Sequence, residues 1–289
     1  MSIQSSLGLV RCLSMAIWLV VTLSTQAACL GDAKAKKIYT FDVVPQLNAT
    51  QTFTVWSPLL QRVGLQTGLC FELRMSPSIP EFEQKLLRGE PEFAYLNPYH
   101  EVLAYKKHKY NPLLAEGKDL LTGILVVRND SNVSDLNALQ GQTLAFPAPN
   151  AFAASLLIRA ELAKKNINIK PVFVKTHSNV YRTVISKDYL AGGGVNNTLT
   201  SEPAEVRQQL RVLYETQAYT PHPIVTHPSV PNEVRQRFLN AVLKLGRYDE
   251  GQKMLASIRM EHPHAVNYED HFKPLELLQL EKFLVLAGQ

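Results

Sequence analysis

Four short segments carry residue types able to hold a small solute: Ala94-Tyr95-Leu96-Asn97-Pro98-Tyr99, Phe146 to Ser155, Thr176-His177-Ser178-Asn179, and Gly192 to Thr198. In the second, Asn150 stands just before Ala151, Phe152, Ala153 and Ala154. Asparagine caps helices well, and small side chains leave first-turn N–H groups open. This stretch therefore predicts a helix start able to receive an oxyanion. An ordinary capped helix is the other reading of the same residues. His177 can neutralise an anion when protonated or donate one hydrogen bond when neutral, a structural histidine being the alternative. Tyr95 and Tyr99 either wall a cleft or belong to a core.

Other chemistries find little support. Nucleophilic catalysis needs a nucleophile beside a base and an orienting group. No G-x-S-x-G is present, and Cys70 lies in the apolar run Leu69-Cys70-Phe71, so no catalytic residue is assigned and the chain reads as a non-enzyme. His262, His264 and His271, with Glu261, Glu269 and Asp270, make a His-rich tail. Pro263 prevents the i, i+4 pairing of helical zinc motifs, so this reads as solvated surface, with no metal and no cofactor expected.

The elements that must position these segments alternate. Strands are expected at Ile38 to Val44, Leu69 to Met75, Glu92 to Leu96, Leu121 to Val127, Thr143 to Phe146, Val172 to Lys175 and Leu210 to Tyr214. Leu190 to Val195 is an apolar segment with three glycines. Helical spacing runs through Trp56, Leu59, Leu60 and Val63 to a stop at Gly68. Further helices are expected over Pro80 to Arg88, from Pro98, over Ala151 to Lys164, from Ser178, through Val234 to Leu245, and over Leu275 to Leu286. Strands regularly separated by helices argue for α/β layers with mostly parallel sheets. No Gly/Ser linker divides the chain, so it is expected to cross between two lobes near Leu121 to Val127 and again between Tyr214 and Ile224. In such sheets ligands gather at the carboxyl ends of strands, where all four segments fall.

Composition agrees. Apolar residues make up 46% of the 289 and charged residues 19%, which excludes a disordered chain. The net charge of +5 is spread out rather than concentrated in a basic stripe, so no nucleic-acid partner is expected. Residues 1–28 hold one charge, Arg11, then an apolar stretch from Leu13 to Leu23 and the small-residue exit Ala27-Ala28-Cys29. This reads as a secretory leader, too short for a comfortable membrane span. Cys29 leaves two alternatives open: lipid attachment, with Gln26 where an aliphatic residue is usual, or pairing with Cys70 in an oxidising compartment. The apolar neighbours of Cys70 favour a plain buried thiol.

Several blocks recur in a familiar order: Phe93-Ala94-Tyr95-Leu96-Asn97-Pro98, Ser134 to Phe146, Thr176-His177, Asn196-Asn197-Thr198, Leu210 to Thr216, and Tyr219-Thr220-Pro221-His222-Pro223. Together they resemble the phosphate/phosphite/phosphonate-binding family of periplasmic solute receptors, from about Thr40 to Leu245. The resemblance implies an α/β, two-lobed type II periplasmic-binding-protein fold with mixed, mostly parallel sheets, a hinge and an interlobe cleft. It implies a leader over 1–28, one lobe from 29–121 and 218–289, and the other from 122–217. It also implies a periplasmic monomer that captures a small anion and hands it to an ABC transporter permease, or reports it to a membrane sensor. The ligand-binding set is then Tyr95, Asn97, Tyr99, Asn150, Ala151, Phe152, Ala153, His177, Asn196, Thr198 and His222.

The departures from the family pattern sharpen the ligand. Members that bind aminoethylphosphonate-like solutes usually carry Ser-Thr-Ser-Gly-like residues where this chain has Asn150-Ala151-Phe152-Ala153, so backbone N–H groups must do more. The two acids that hold a ligand amine correspond to Leu199 and His222. An anion without a cationic tail is expected, with affinity falling as pH rises through the histidine range if a histidine charge assists.

Overall fold

The computed structural model describes residues 29–285, so the expected leader over 1–28 lies outside the described residues. The strands are β1 (Leu30–Gly31), β2 (Ile38–Val43), β3 (Cys70–Met75), β4 (Phe93–Tyr95), β5 (Asn111–Glu116), β6 (Gly123–Arg128), β7 (Thr143–Phe146), β8 (Lys170–Phe173), β9 (Ala191–Val195), β10 (Leu210–Glu215), β11 (Ile224–Thr226) and β12 (Pro263–Ala265). They form two sheets, ordered β1-β3-β2-β4-β11-β5-β12 and β10-β6-β9-β7-β8. The chain passes from the first sheet to the second between β5 and β6 and returns between β10 and β11. An isolated bridge, Leu121 to Tyr219, ties the two crossings together. Both sheets are mixed. Parallel pairing is confined to β2–β3, β2–β4, β7–β8 and β7–β9, so the expected parallel majority is not met. The strands on either side of the return, β10 and β11, pair antiparallel, which the helix-strand rhythm does not encode.

The helices are α1 (Ala49–Thr67), α2 (Ile79–Leu87), α3 (Pro98–His108), α4 (Ile158–Lys164), α5 (His177–Ile185), α6 (Asn196–Thr200), α7 (Ala204–Arg207), α8 (Asn232–Leu245), α9 (Asp249–Ser257) and α10 (Tyr268–His271). Local chemistry sets their ends. Asn48 and Gln51 form a reciprocal capping box on α1, and Gly68 closes it in the left-handed region at φ 68°. Asn97 caps α3 by accepting from the His100 N–H, ahead of Pro98. The core of the first sheet is aromatic, with Phe41, Phe71, Phe93 and Phe238 packed ring to ring.

One helix departs from expectation. Asn150 does not cap it. Ala151 occupies the cap position without a side-chain bond, and Phe152–Leu157 forms a π-helical turn before α4. The Ala151 carbonyl accepts from both Ser155 and Leu156, which widens the first turn. That turn presses on the second sheet. A Cβ on Gly193 would stand 2.1 Å from the Ala154 carbonyl oxygen, and one on Gly123 2.2 Å from that of Ala153. Glycine is needed at both places for close approach.

The expected helix over Leu275 to Leu286 is also corrected. Two 3-10 turns, Lys273–Leu278 and Leu280–Phe283, are separated by Gln279 at φ 50°. Side chains of the second lobe replace the missing helical bonds: Arg159 Nη2 donates to the Phe283 carbonyl at 2.8 Å, and Asn150 exchanges bonds with the Val285 backbone. The tail is a strap, held also to the first lobe by the Tyr99 hydroxyl on Glu281 at 3.0 Å.

Cys29 and Cys70 are joined by a disulfide, their Cα atoms 5.5 Å apart, beside the Gly31–Cys70 pairing of β1 with β3. This corrects the plain-thiol reading of Cys70, and it occupies the sulfur that a lipid on Cys29 would need. Closing a loop over a sequence separation of 41 residues removes denatured-state entropy. The Cys29→Ser, Cys70→Ser double variant should lose about 2–4 kcal/mol. Its melting temperature should fall by roughly 5–10 °C, and dithiothreitol should reproduce the fall in the parent chain.

Candidate functional site

A cleft of about 830 Å³ lies between the two lobes. From the second lobe it is lined by Ala151 to Ala154, His177, Asn196 and Thr198; from the first by Tyr95, Asn97 and His222. Nine of the eleven residues expected at the site are therefore brought together. Tyr99 and Asn150 are not among the lining residues, and their side chains are bonded elsewhere.

Asn150 is fully buried behind the cleft wall. Its Nδ2 lies 2.9 and 2.7 Å from the two Glu83 carboxylate oxygens and 2.9 Å from the Val285 carbonyl, while its Oδ1 accepts from the Val285 N–H at 3.0 Å. His100 Nε2 meets the same carboxylate at 2.8 Å. Tyr99 is buried against the C-terminal strap through Glu281. Asn97 touches the cleft, but its side chain is spent on the α3 cap and on the Asn150 carbonyl at 3.2 Å.

The helix start keeps its expected chemistry despite the missing cap. The N–H groups of Phe152, Ala153 and Ala154 have no acceptor among the described residues. They belong to the residues that line the cleft, at the positive end of the helix. Phe152 packs edge-on against Tyr219, with ring centroids 5.8 Å apart.

His177 stands beside this row as the first residue of α5, capped by Thr176. It is half-buried and lines the cleft. Thr198 Oγ1 donates to the Val195 carbonyl at 2.9 Å and takes the Tyr181 hydroxyl at 2.6 Å. It can then only accept from His177 Nδ1, at 3.4 Å. With Thr198 donating to Val195 in this way, the neutral ring carries its proton on Nδ1, and Nε2 is without a partner among the described residues. Burial, and then the charge of Arg259, pull its pKa down to about 4.

His222 stacks on Tyr95 at 5.5 Å, and Tyr95 packs on Trp56 at 4.8 Å. Gln46 Nε2 lies 2.9 Å from His222 Nε2, so with Gln46 donating the neutral ring carries its proton on Nδ1. Burial first, then His100, Arg259 and His177, pull the His222 pKa down to about 3. Burial likewise raises the Tyr95 phenol. Both histidines are neutral at pH 7.

Charged residues of the cleft went unnoticed in the sequence. Lys118, Lys175, Arg259, Glu116, Asp119 and Glu261 all line it. Burial alone would raise the Glu116 pKa, but backbone N–H groups of His262, Lys118 and Asp119 bring it below the usual value and occupy its oxygens. Leu199 packs with the Val180 and Tyr181 cluster rather than on the cleft. The tail histidines have their own partners: His262 sits 3.4 Å from Glu116, His264 Nδ1 meets the Ala115 carbonyl at 3.1 Å, and His271 Nδ1 accepts from the Asn267 N–H.

The family described as "ABC transporter, phosphonate, periplasmic substrate-binding protein" matches residues 41–271. No curated protein matches the chain. Among solved structures, a binding protein component of an ABC phosphonate transporter from Pseudomonas aeruginosa is similar at 17% identity and a TM-score of 0.72, over 85% of this chain and 86% of that one. PhnD1 from Prochlorococcus marinus, in complex with methylphosphonate, is similar at 12% identity and a TM-score of 0.75, over 85% and 98%. XAC2383 from Xanthomonas citri, bound to chloride ion, is similar at 17% identity and a TM-score of 0.69, over 86% and 99%.

Proposed function

Because this chain belongs to the family of phosphonate periplasmic substrate-binding proteins of ABC transporters, we propose that its cleft captures a phosphonate, phosphite or phosphate-like oxyanion for delivery to the permease. The family is one of transport receptors, not enzymes. The lobes divide at 29–121, 122–217 and 218–289 and close over the solute about the two crossings. The chain works as a periplasmic monomer. The row of unpaired N–H groups at Phe152, Ala153 and Ala154 carries this reading, because it offers donors to an anion without any hydroxyl side chain. His177 and Thr198 flank the head group, and Tyr95 with His222 walls the far side. Methylphosphonate in PhnD1 and chloride in XAC2383 are both anions, which fits a site of this polarity.

Thermal-shift screening of phosphite, methylphosphonate, phosphate, sulfate and acetate tests the reading. A ligand at one hundred times its Kd adds about 2.7 kcal/mol of stability, a shift of several degrees. His177→Ala should weaken the winning ligand by about 1.5–3 kcal/mol in calorimetry, the loss of a charge-assisted hydrogen bond. If no oxyanion raises the melting temperature, or the cleft prefers cations or neutral solutes, the proposal fails.

A further inference from the structure

Arg259 lies outside every motif of the chain, yet it lines the cleft. It follows α9 in a tight turn. Its own N–H bonds the Ala256 carbonyl, the Met260 N–H bonds the Leu255 carbonyl, and Ile258 and Met260 on either side are buried. The backbone at Arg259 is left-handed, φ 58°, a conformation that a non-glycine residue adopts at a cost. The turn therefore fixes the point on the wall from which this side chain leaves. The guanidinium reaches across the cleft from the first lobe, and Nη1 donates to Asn197 Oδ1 of the second at 3.2 Å. That amide is neutral, and no carboxylate lies within ion-pair distance of Arg259 among the described residues. Its charge is felt at His177 and Tyr181 of the second lobe and at Tyr95 and His222 on the far wall. No carboxylate acts on either histidine.

We propose that Arg259 reads a second anionic group on the solute, so that the cleft selects an oxyanion carrying a carboxylate or similar acid on its tail. The inference rests on the oxyanion reading above. The oxyanion head takes the amide row beside His177. The tail then points toward a guanidinium whose planar fork matches a carboxylate with two hydrogen bonds. The cleft volume of about 830 Å³ leaves room beyond a head group. A cationic tail directed at Arg259 would meet a like charge there, while Glu116 is held by backbone N–H groups and Asp119 and Glu261 line the cleft elsewhere in the chain. On this account a preference against amines has a cause in the residues present, beyond the two acids that the sequence lacks.

The test is calorimetry on the processed chain with three probes: methylphosphonate for the head alone, phosphonoacetate for an anionic tail, and 2-aminoethylphosphonate for a cationic one. Phosphonoacetate is expected to bind about ten-fold tighter than methylphosphonate, and 2-aminoethylphosphonate more weakly than both. Arg259→Gln, which removes the charge and keeps a polar amide on the wall, should lower the phosphonoacetate-to-methylphosphonate affinity ratio about ten-fold. Arg259→Lys should restore part of it. Added salt should shrink the preference, since the guanidinium is exposed. Equal losses for both anions in Arg259→Gln would make Arg259 a lobe-to-lobe latch and overturn the inference, as would 2-aminoethylphosphonate binding as tightly as phosphonoacetate. If none of the three binds, the oxyanion reading itself falls and takes the inference with it. Methylphosphonate binding with no preference for phosphonoacetate removes the inference alone.

Discussion

Replacing Asn150 by alanine is expected to lower the stability of the fold by about 3–5 kcal/mol while leaving solute affinity close to that of the parent. The side chain is fully buried, and its amide reaches both oxygens of the buried Glu83 carboxylate. Removing it strips that carboxylate of the donor shared by both oxygens and leaves the Val285 N–H and carbonyl without their partners. Buried groups that lose partners pay their desolvation cost without return. The cost is spread over three parts of the chain. Glu83 belongs to α2 of the first lobe, Asn150 follows β7 of the second, and Val285 ends the strap. The melting temperature should fall by roughly 10–15 °C. Paired melting curves and calorimetry decide the matter. A variant that melts like the parent but loses the solute would return Asn150 to the site and refute its structural role.

Asn150 also marks the limit of what a single sequence conveys. The strand ends were legible because periodicity and β-branched runs are local, and so were two of the three residues with open N–H groups, Phe152 and Ala153. His177 and Thr198 were legible for the same reason, each following a strand. Asn97, Tyr99 and Asn150 stand at equally suggestive positions, yet their side chains turn to partners 53, 182 and 135 residues away, and no local pattern records such a turn. The tail from Leu275 has helical apolar spacing, but its backbone is taken up by Arg159 and Asn150 of the other lobe. Arg259 was invisible because nothing near it in sequence speaks of a ligand. The nearest hint was a helix end without glycine, where a left-handed turn is filled by a residue that pays for it.

Solute binding should take up close to one proton above the second pKa of the solute, and affinity should then fall about ten-fold for each further unit of pH. The sequence suggested a different rule, a charged histidine lost near its ordinary pKa. Burial holds His177 at about 4 and His222 at about 3, so neither titrates in the free protein between pH 5 and 9. With Thr198 donating to the Val195 carbonyl, neutral His177 gives its one proton to Thr198 and presents an acceptor at Nε2. A fully ionised phosphonate brings only acceptors. The two can meet only if a proton enters, on the imidazole or on the oxyanion. Below the second pKa the solute already carries that proton, so nothing is taken up and affinity stays flat down to about pH 5. The break should follow the solute rather than the protein, coming at lower pH for phosphite than for the weaker acid methylphosphonate. Titration calorimetry at pH 8.5, in buffers of different ionisation enthalpy, measures the uptake directly. His177→Gln supplies its own amide donor, so it should abolish the uptake and flatten the profile at high pH. A slope that survives in His177→Gln, or a break fixed at one pH for both solutes, would place the proton elsewhere and end this account of the histidine.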